Sequence, residues 1–345
     1  MNCEKVAVVG ASGYSGEELV RLLIRHEGVD LVALTSRQHV GQRLDAVYPK
    51  FAGQRYASLP FIESSFEAIV ASGASLVFLA LPHGVATEFA RPLVAAGLRV
   101  IDLSADFRIK DPAVYEEFYN EVHHAPELAA LSVYGMPEIY RETIRTSRLV
   151  ASPGCYPTSI ILPLHPLLKA RLIDPRSIVI SSMSGVSGAG RTTKVDYLFV
   201  ECNESVRAYS VPKHRHLAEI EQELSNAAGE PVVVSFTPHL IPVNRGIHST
   251  IFASLASGIT AAQIGDALQA AYASEPFVRL CGGSLLPDTK HVTFTNFCDI
   301  AWRTDPRTGR VVLLSAEDNL VKGAAGQAVQ SLNVMCGWPE TTGLL

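Results

Sequence analysis

The spacing of hydrophobic residues changes along this chain. In its first part, short continuous apolar runs alternate with segments in which apolar residues recur every three or four positions. Continuous runs are typical of parallel strands buried on both faces, and the second spacing is typical of amphipathic helices. The runs that we expect to form strands are 5–9, 29–34, 76–81, 100–103 and 149–151. This alternation predicts an α/β domain of the doubly wound type.

After residue 176 most apolar runs follow one another without helices between them. We expect strands at 177–182, 206–211, 232–236, 249–255, 292–297 and 311–314, with one further long helix among them at 261–273. Such a pattern predicts a mainly antiparallel sheet with helices on one face. A last helix, 318–335, is rich in alanine and glycine, and we expect it to pack back on the first domain.

The predicted fold class is therefore α/β, with two domains. A Rossmann-type domain spans residues 1–152 and is completed by residues 316–345. An α+β domain with a mainly antiparallel sheet spans residues 153–315. The length of 345 residues agrees with two domains, because it exceeds the usual size of one.

A glycine-rich turn, G-A-S-G-Y-S-G, connects the first strand to the first helix. Glycines let the backbone approach a pyrophosphate, which the helix N-terminus then binds. The spacing is G-x-x-G-x-x-G rather than the usual G-x-G-x-x-G, so a plain tight turn is the alternative. The residues of this turn that we expect to contact a dinucleotide are Gly10, Ser12, Gly13, Tyr14, Ser15 and Gly16.

The end of the second strand indicates which dinucleotide is bound. A site that prefers NAD usually places Asp or Glu there, but this chain has Thr35, Ser36 and Arg37. Two hydroxyls and a guanidinium suit a 2′-phosphate, which favours NADP; an exposed loop arginine is the alternative. Pro82 follows the next strand at the same predicted edge of the sheet, where cofactors bind in such folds.

A cysteine follows the last strand of the first domain. Pro153 and Gly154 make a turn before Cys155, and Pro157 suits the first turn of a helix. At a helix N-terminus the free N–H groups and the helix dipole favour a thiolate. We therefore expect Cys155 to be a nucleophile that forms a thioester. A buried structural cysteine is the alternative.

Three further features suggest acid–base chemistry and anion binding. His214, Arg215 and His216 lie at a helix start, where cations oppose the dipole, and such a locally unfavourable choice is expected at a functional site. A solvated helix cap is the alternative. Arg108 follows a strand end and is a candidate anion ligand, or it forms an ion pair with Asp106. A second glycine-rich loop, with Gly185, Gly188 and Arg191, can present N–H groups to a phosphate.

Composition narrows the remaining possibilities. The net charge of −5 and the isoelectric point near 6.1 do not indicate a positively charged surface that would bind nucleic acid or an anionic membrane. The six cysteines are scattered without a C-x-x-C pair, so we expect neither a metal site nor a disulfide framework. No apolar run approaches 18 residues. These features predict a soluble cytoplasmic protein that acts on a small molecule.

Taken together, the motifs resemble the type 1 N-acetyl-gamma-glutamyl-phosphate reductase family, which belongs to the superfamily of aspartate-semialdehyde and glyceraldehyde-3-phosphate dehydrogenases. The resemblance runs essentially end to end. The segments that carry it are 10–19, 81–84, 102–108, 153–158, 184–191, 214–220, 242–246 and 318–326. Ser15 stands where the family commonly has Thr, a small departure.

The resemblance implies NADPH-dependent reduction of N-acetyl-L-glutamyl 5-phosphate to the 5-semialdehyde in arginine biosynthesis, through a thioester on Cys155. It places the acid/base histidine in the 214–216 triplet; His214 is preferred here, while His216 and His248 remain open. It also implies that Gly185, Gly188 and Asn319 contact the cofactor and that Ser184 and Arg245 join Arg108 and Arg191 at the substrate. We further expect a homodimer, or a tetramer built from dimers, because a sheet covered on one face leaves the other to be buried.

Two other functions fit parts of the sequence. One is the paralogous reductase of carrier-linked lysine biosynthesis, which should need a basic patch for its acidic carrier protein; no basic run is evident. The other is a non-catalytic NADP-sensing protein, which would have no need for Cys155 together with the histidine cluster.

Overall fold

The computed structural model describes residues 3–191, 193–282 and 285–345. They form two compact units. The first unit comprises Met1–Glu116, Asn120–Pro153 and Ala324–Leu345, and the second comprises Glu117–Tyr119 and Gly154–Gly323. The α-helices in chain order are α1 (Tyr14–Leu23), α2 (Leu44–Val47), α3 (Phe66–Ala71), α4 (Ala86–Ala95), α5 (Pro112–Tyr119), α6 (Pro126–Leu131), α7 (Pro137–Thr146), α8 (Cys155–Lys169), α9 (Phe199–Cys202), α10 (Leu217–Ala228), α11 (Ala261–Tyr272) and α12 (Gly326–Cys336).

The first unit contains a parallel sheet. Its strands are β1 (Glu4–Val9), β2 (Val29–Thr35), β3 (Phe61–Ile62), β4 (Leu76–Leu79), β5 (Arg99–Asp102), β6 (Val133–Tyr134) and β7 (Leu149–Ala151). They are ordered β3-β2-β1-β4-β5-β7-β6, and every pairing is parallel. Because parallel strands end at one edge, the glycine turn after β1 and the loops after β2, β4 and β5 collect there.

Helices bury the faces of this sheet, which explains the continuous apolar strands. Val6 to Val9 of β1 and all four residues of β4 are fully buried. Helix α12, from the end of the chain, packs in this unit beside α7 and α1. Gln330 Nε2 donates to Glu138 Oε1 at 3.0 Å, and His26 Nε2 lies 2.8 Å from Asn333 Oδ1.

The second unit contains a mixed sheet that is mainly antiparallel. Its strands are β8 (Val179–Ser184), β9 (Arg207–Ala208), β10 (Ser235–Leu240), β11 (Ile247–Ser254), β12 (Val278–Leu280), β13 (Cys298–Asp305) and β14 (Arg310–Glu317). The order is β12-β13-β14-β11-β8-β10-β9, and only the β8–β10 and β12–β13 pairings are parallel. The predicted fold class is confirmed.

The two faces of this sheet differ. One face packs on α8, where Ser159 Oγ lies 2.7 Å from Ser249 Oγ of β11. Successive strand residues point to opposite faces, so the residues between the buried ones form a second face. That face is partly exposed and carries apolar side chains among polar ones such as Ser181, His248 and Thr250. Its residues include Val179, Met183, Phe252, Val312 and Leu314.

Several predicted strand positions are wrong. The run 292–297 is not a strand: Phe294 has a positive φ of 65° and its N–H bonds to Asp318, so the chain turns there and β13 begins at Cys298. The run 206–211 forms only Arg207–Ala208, and the strand expected at 232–236 lies at Ser235–Leu240. The last helix begins later than expected, as a π-helical turn, Val321–Ala325, followed by α12.

Candidate active site

The predicted nucleophile lies at the start of helix α8. Cys155 is the first residue of this helix, and Gly154 before it has extended backbone with no side chain capping the helix. Cys155 is partly exposed. At such a position the first N–H groups of the helix and its dipole favour a thiolate. The predicted location of Cys155 at a helix start is confirmed.

A histidine and a glutamate lie against the residue that precedes the nucleophile. The Gly154 N–H donates to Glu219 Oε2 at 3.1 Å. A Cβ at Gly154 would lie 2.6 Å from both His216 Nε2 and Glu219 Oε1, so only glycine permits this approach. His216 Nε2 and Glu219 Oε1 are 3.9 Å apart, and the Glu219 side chain is 1% exposed. The imidazole and the carboxyl group thus lie together beside the residue that precedes the nucleophile.

His214, the histidine preferred from the sequence, has a different environment. Its ring centroid lies 5.5 Å from that of Tyr156 and 5.6 Å from that of Tyr209. Its Nδ1 accepts the backbone N–H of His216 at 3.1 Å. Burial and the charge of Arg215 lower the pKa of His214 to about 4, so its ring is neutral at pH 7. His214 therefore helps to fix the backbone that carries His216.

On another side, Cys155 lies against a glycine. A Cβ at Gly323 would be 2.9 Å from Cys155 Cβ and 2.9 Å from Glu317 Oε1. Gly323 belongs to the π-helical turn Val321–Ala325, a type of turn frequently found at functional sites. Glu317, at the end of β14, is fully buried. Gly323 thus occupies the narrow space between the nucleophile and a buried carboxyl group.

Asp318 connects this glycine to one of the predicted substrate ligands. The Gly323 N–H donates to the Asp318 carbonyl oxygen at 2.9 Å. The Asp318 carboxylate, which is fully buried, lies 3.2 Å from Arg245 Nη1 and accepts the Phe294 N–H at 2.7 Å. Arg245 is therefore linked through Asp318 to the wall of the Cys155 site.

Asn319 connects the second glycine-rich loop to the loop that carries Arg245. Its side chain donates to Ser187 Oγ at 2.9 Å and accepts the Gly246 N–H at 2.8 Å. A Cβ at Gly185 would lie 2.7 Å from the backbone nitrogen of Arg245. Glycine at this position therefore lets the two loops approach each other. Asn319 and Gly185, both predicted as cofactor ligands, are thus also structural parts of these loops.

The other predicted ligands in this unit are Ser184, Gly188, Arg191 and His248. Ser184 Oγ donates to the Gly185 carbonyl oxygen at 3.1 Å, and a Cβ at Gly188 would lie 3.0 Å from that same Oγ. Arg191 is exposed. His248 lies on β11 next to Ser249, which faces α8, so its side chain points to the opposite face, away from the helix of Cys155.

In the first unit, the glycine turn has the shape that a dinucleotide requires. Gly10 has a φ of 80°, and a Cβ there would lie 2.4 Å from Ala80 O; one at Gly16 would lie 2.3 Å from Gly10 O. A Cβ at Gly13 would meet nothing closer than 3.7 Å, and Gly13 precedes α1 with no side chain capping the helix. The turn is thus tight and leaves the helix start open, which fits a pyrophosphate. The turn residues Ser12, Tyr14 and Ser15 are at least partly exposed.

The hydroxyls after β2 also have structural partners. Thr35 Oγ1, fully buried, accepts the Gly10 N–H at 3.3 Å and the Ser64 hydroxyl at 2.8 Å. Ser36 Oγ lies 3.0 Å from Ser12 Oγ. These contacts brace the glycine turn. Arg37 is exposed at the sheet edge, and Pro82 lies in the loop after β4.

Arg108 is buried rather than displayed at the surface. It is 7% exposed, and it donates from Nε to Ser152 O at 2.7 Å and from Nη2 to Leu103 O at 2.8 Å. It thereby fixes the chain at the end of β7. Nearby, burial and the charge of Asp106 raise the pKa of Asp102 to about 7.

Sequence reasoning missed several residues of this site. Glu219 had a detectable signal, because it lies three residues after His216 on a helix and therefore on the same face. Gly323 lies in the alanine- and glycine-rich segment 318–335, for which the sequence predicted only packing on the first domain. Phe294 gave no signal, since the alternation around it predicted a strand.

Comparison with known proteins defines the family. Residues 5–147 match the model of the semialdehyde dehydrogenase NAD binding domain, and residues 155–319 match that of the semialdehyde dehydrogenase dimerisation domain. The N-acetyl-gamma-glutamyl-phosphate reductase of Akkermansia muciniphila is 60% identical over 340 residues, which cover 99% of this chain and 98% of the relative. That of Pelotomaculum thermopropionicum is 53% identical over 340 residues, 99% of this chain and 97% of the relative. The chain belongs to the N-acetyl-gamma-glutamyl-phosphate reductase family. It is an oxidoreductase whose first domain is of a type that binds a nicotinamide cofactor.

Solved structures agree with the fold. Aspartate semialdehyde dehydrogenase II of Vibrio cholerae superposes with a TM-score of 0.74 at 19% identity, covering 98% of this chain and 99% of that one. Aspartate semialdehyde dehydrogenase of Candida albicans, solved with NADP, gives 0.68 at 14% identity, covering 97% and 99%. Within the described residues no helix is both long and apolar enough to cross a membrane.

Proposed function

We propose that this enzyme reduces N-acetyl-L-glutamyl 5-phosphate to N-acetyl-L-glutamate 5-semialdehyde, with release of phosphate, in the cytoplasm as a step of arginine biosynthesis. The observation that carries the proposal is Cys155 at a helix start, with His216 and Glu219 packed against Gly154. Relatives at 48–60% identity carry the name of this activity.

Cys155 is the nucleophile in the first half of the reaction. Its thiolate attacks the acyl carbon, the bond to the phosphate oxygen breaks, and phosphate leaves. The product is a thioester, whose carbonyl accepts hydride far better than a carboxylate does. Covalent catalysis thus divides one difficult reduction into two feasible steps.

The second half needs hydride and a proton. NADPH supplies the hydride when it is bound. We assign the proton to His216 rather than His214, because His216 Nε2 lies beside Gly154, the residue before the nucleophile, and 3.9 Å from Glu219 Oε1. His216 donates to the carbonyl oxygen as the tetrahedral intermediate forms. It takes the proton back as the C–S bond breaks and the aldehyde leaves.

We identify the cofactor as NADP and assign its binding site to the edge of the parallel sheet. Gly10, Gly13 and Gly16 shape an open helix start for the pyrophosphate. Arg37, exposed just beyond β2, supplies a guanidinium for the 2′-phosphate. Thr35 and Ser36 act mainly by bracing the turn, since their hydroxyls bond within the fold. The remaining assigned cofactor contacts are Ser12, Tyr14, Ser15, Pro82, Gly185, Gly188 and Asn319.

The substrate is assigned to the second unit. Arg245, linked through Asp318 to the wall of the Cys155 site, binds the α-carboxylate. Ser184 ends β8 and Arg191 lies in the glycine-rich loop that follows, and we assign both to the phosphate. Arg108 also fixes Ser152 at the end of β7, because its Nε and Nη2 donate to the Ser152 and Leu103 carbonyl oxygens.

The open face of the second sheet is assigned to a second copy of this chain. It carries Met183 and Val179, each 43% exposed, beside the half-buried Phe252. The family description of residues 155–319 as a dimerisation domain supports this assignment. A homodimer, or a tetramer of dimers, would bury these side chains.

The proposal is tested by running the reaction in reverse. Purified enzyme is given N-acetylglutamate semialdehyde, phosphate and NADP, and NADPH is followed by absorbance. We expect turnover that requires phosphate and prefers this aldehyde to the carrier-linked analogue one methylene longer. Preference for the longer aldehyde would assign the enzyme to lysine biosynthesis, and no turnover of either would refute a catalytic function.

A further inference from the structure

Phe294 adopts a backbone conformation that its side chain disfavours. Its φ is 65°, in the left-handed region, which bulky residues enter rarely. Its side chain is also 59% exposed. Burial therefore does not explain why a large aromatic residue is held in this conformation. Such strain is typical of sites where a side chain must be placed for function.

Contacts with Asp318 and Arg245 help to hold Phe294. Its N–H donates to the buried Asp318 carboxylate at 2.7 Å. The guanidinium carbon of Arg245 lies 4.4 Å from the centre of its ring. The same carboxylate lies 3.2 Å from Arg245 Nη1. Arg245 is thus fixed by an aromatic ring over one face and by a carboxylate at one edge.

This arrangement determines the plane of the guanidinium. The donors of arginine all lie in one plane, and recognition of a carboxylate by two parallel hydrogen bonds requires that plane to be correctly oriented. The carboxylate of Asp318 limits where Nη1 lies, whereas the ring of Phe294 limits how the group tilts. An arginine without the ring would keep its charge and its ion pair but lose this second restriction.

We infer that Phe294 is a positioning residue that orients Arg245 toward the α-carboxylate of the substrate and so makes the enzyme selective for substrates that carry this group. The inference rests on the proposed function. The strained turn at Phe294 is maintained because it places the ring over Arg245.

The test compares two aldehydes in the reverse reaction: N-acetylglutamate semialdehyde and 4-acetamidobutanal, which lacks the α-carboxylate. The wild-type enzyme should prefer the first. Phe294→Leu should lower this preference by roughly 3- to 30-fold, the range corresponding to loss of a cation–π contact. The loss should appear in KM for the carboxylated aldehyde with kcat little changed. Phe294→Tyr, which keeps the ring, should restore the preference.

Two further measurements separate positioning from general damage. Phe294→Gly relieves the strain while removing the ring, so its melting temperature should be no lower than that of the wild type although selectivity falls. Phe199→Leu, at another exposed phenylalanine (79%), should leave selectivity within about twofold, as expected for most surface changes. Equal losses for both aldehydes, or unchanged selectivity in Phe294→Leu, would overturn the inference and leave the proposed function intact. A wild-type enzyme that is inactive on both aldehydes would refute the proposed function and this inference with it.

Discussion

The contact between Gly323 and Cys155 allows a quantitative prediction. A methyl group added at Gly323 would lie 2.9 Å from Cys155 Cβ, 3.2 Å from Cys155 Cα and 2.9 Å from Glu317 Oε1. Carbon atoms in contact are separated by about 3.5–4.0 Å, so in Gly323→Ala the cysteine, the π-helical turn or both must move by about 0.6–1 Å. Glu317 is fully buried and offers little room on its side.

A displacement of this size should affect chemistry more than binding. Misplacing a reacting group by about 1 Å can lower a rate by about 10²-fold. We therefore expect Gly323→Ala to lower kcat by about 10- to 100-fold, with less than a threefold change in the KM for NADP. Steady-state kinetics of the reverse reaction give these values, and the rate of alkylation of Cys155 by iodoacetamide should also change.

A matched control is available at Gly282. A Cβ there would meet nothing within 4 Å, and its φ is not in the left-handed region. Gly282→Ala should therefore retain wild-type kcat and melting temperature. If Gly323→Ala is as active as Gly282→Ala while circular dichroism shows both folded, the claim that Gly323 sets the position of the nucleophile is wrong.

Three other predictions follow from the structure. Arg37→Ala should weaken NADP binding by about 1.5–3 kcal/mol, as for a hydrogen bond to a charged group, and leave NAD binding unchanged; equal losses in titration calorimetry would remove Arg37 from the 2′-phosphate site. Phe252→Asp should convert the enzyme to monomers, because a charge would be buried on the open sheet face; sedimentation of an unchanged oligomer would place the interface elsewhere. Burial lowers the pKa of His165 and of His214 to about 4. A nearby cation, Lys169 for His165 and Arg215 for His214, contributes to the lowering of each pKa. The folded pKa values of both histidines lie below the unfolded value of about 6.5, so the free energy of unfolding should fall as pH drops from 6.5 toward 4, by about 1–2 kcal/mol per histidine at pH 5. In thermal melts His165→Gln should lose less stability over this range than the wild type. Identical pH profiles for the two proteins would contradict the prediction.

Much of the fold follows from local sequence patterns. The parallel strands of the first unit are continuous apolar runs, and the glycines before α1 are needed because a Cβ at Gly10 or Gly16 would collide with backbone. Strand β11 alternates buried and half-buried residues along its whole length, which is the pattern of a sheet with two unlike faces. Cys155 at a helix start was readable from Pro153, Gly154 and Pro157.

The errors arise where distant contacts override local preference. The run 292–297 has the composition of a strand, but the buried Asp318 carboxylate bonds the Phe294 N–H and turns the chain. The sequence favoured His214 as the acid–base residue and left His216 open, because the approach of His216 Nε2 to Gly154 depends on tertiary packing that the sequence alone does not show. Arg108 was predicted as a substrate ligand from its place beyond a strand end; the sequence did not show that its Nε and Nη2 donate to the Ser152 and Leu103 carbonyl oxygens, because these contacts depend on the packing of β5 and β7.

The central claim is that Cys155 carries the acyl group during the reaction. The most direct measurement is mass spectrometry of the enzyme after it is mixed with N-acetyl-L-glutamyl 5-phosphate in the absence of NADPH and quenched in acid. We expect one N-acetylglutamyl group per chain, located by proteolysis on the peptide that contains Cys155, and none on Cys155→Ser. Addition of NADPH before the quench should remove the label and yield the semialdehyde. A label on another residue, or a Cys155→Ser variant that still reduces the substrate, would contradict the account.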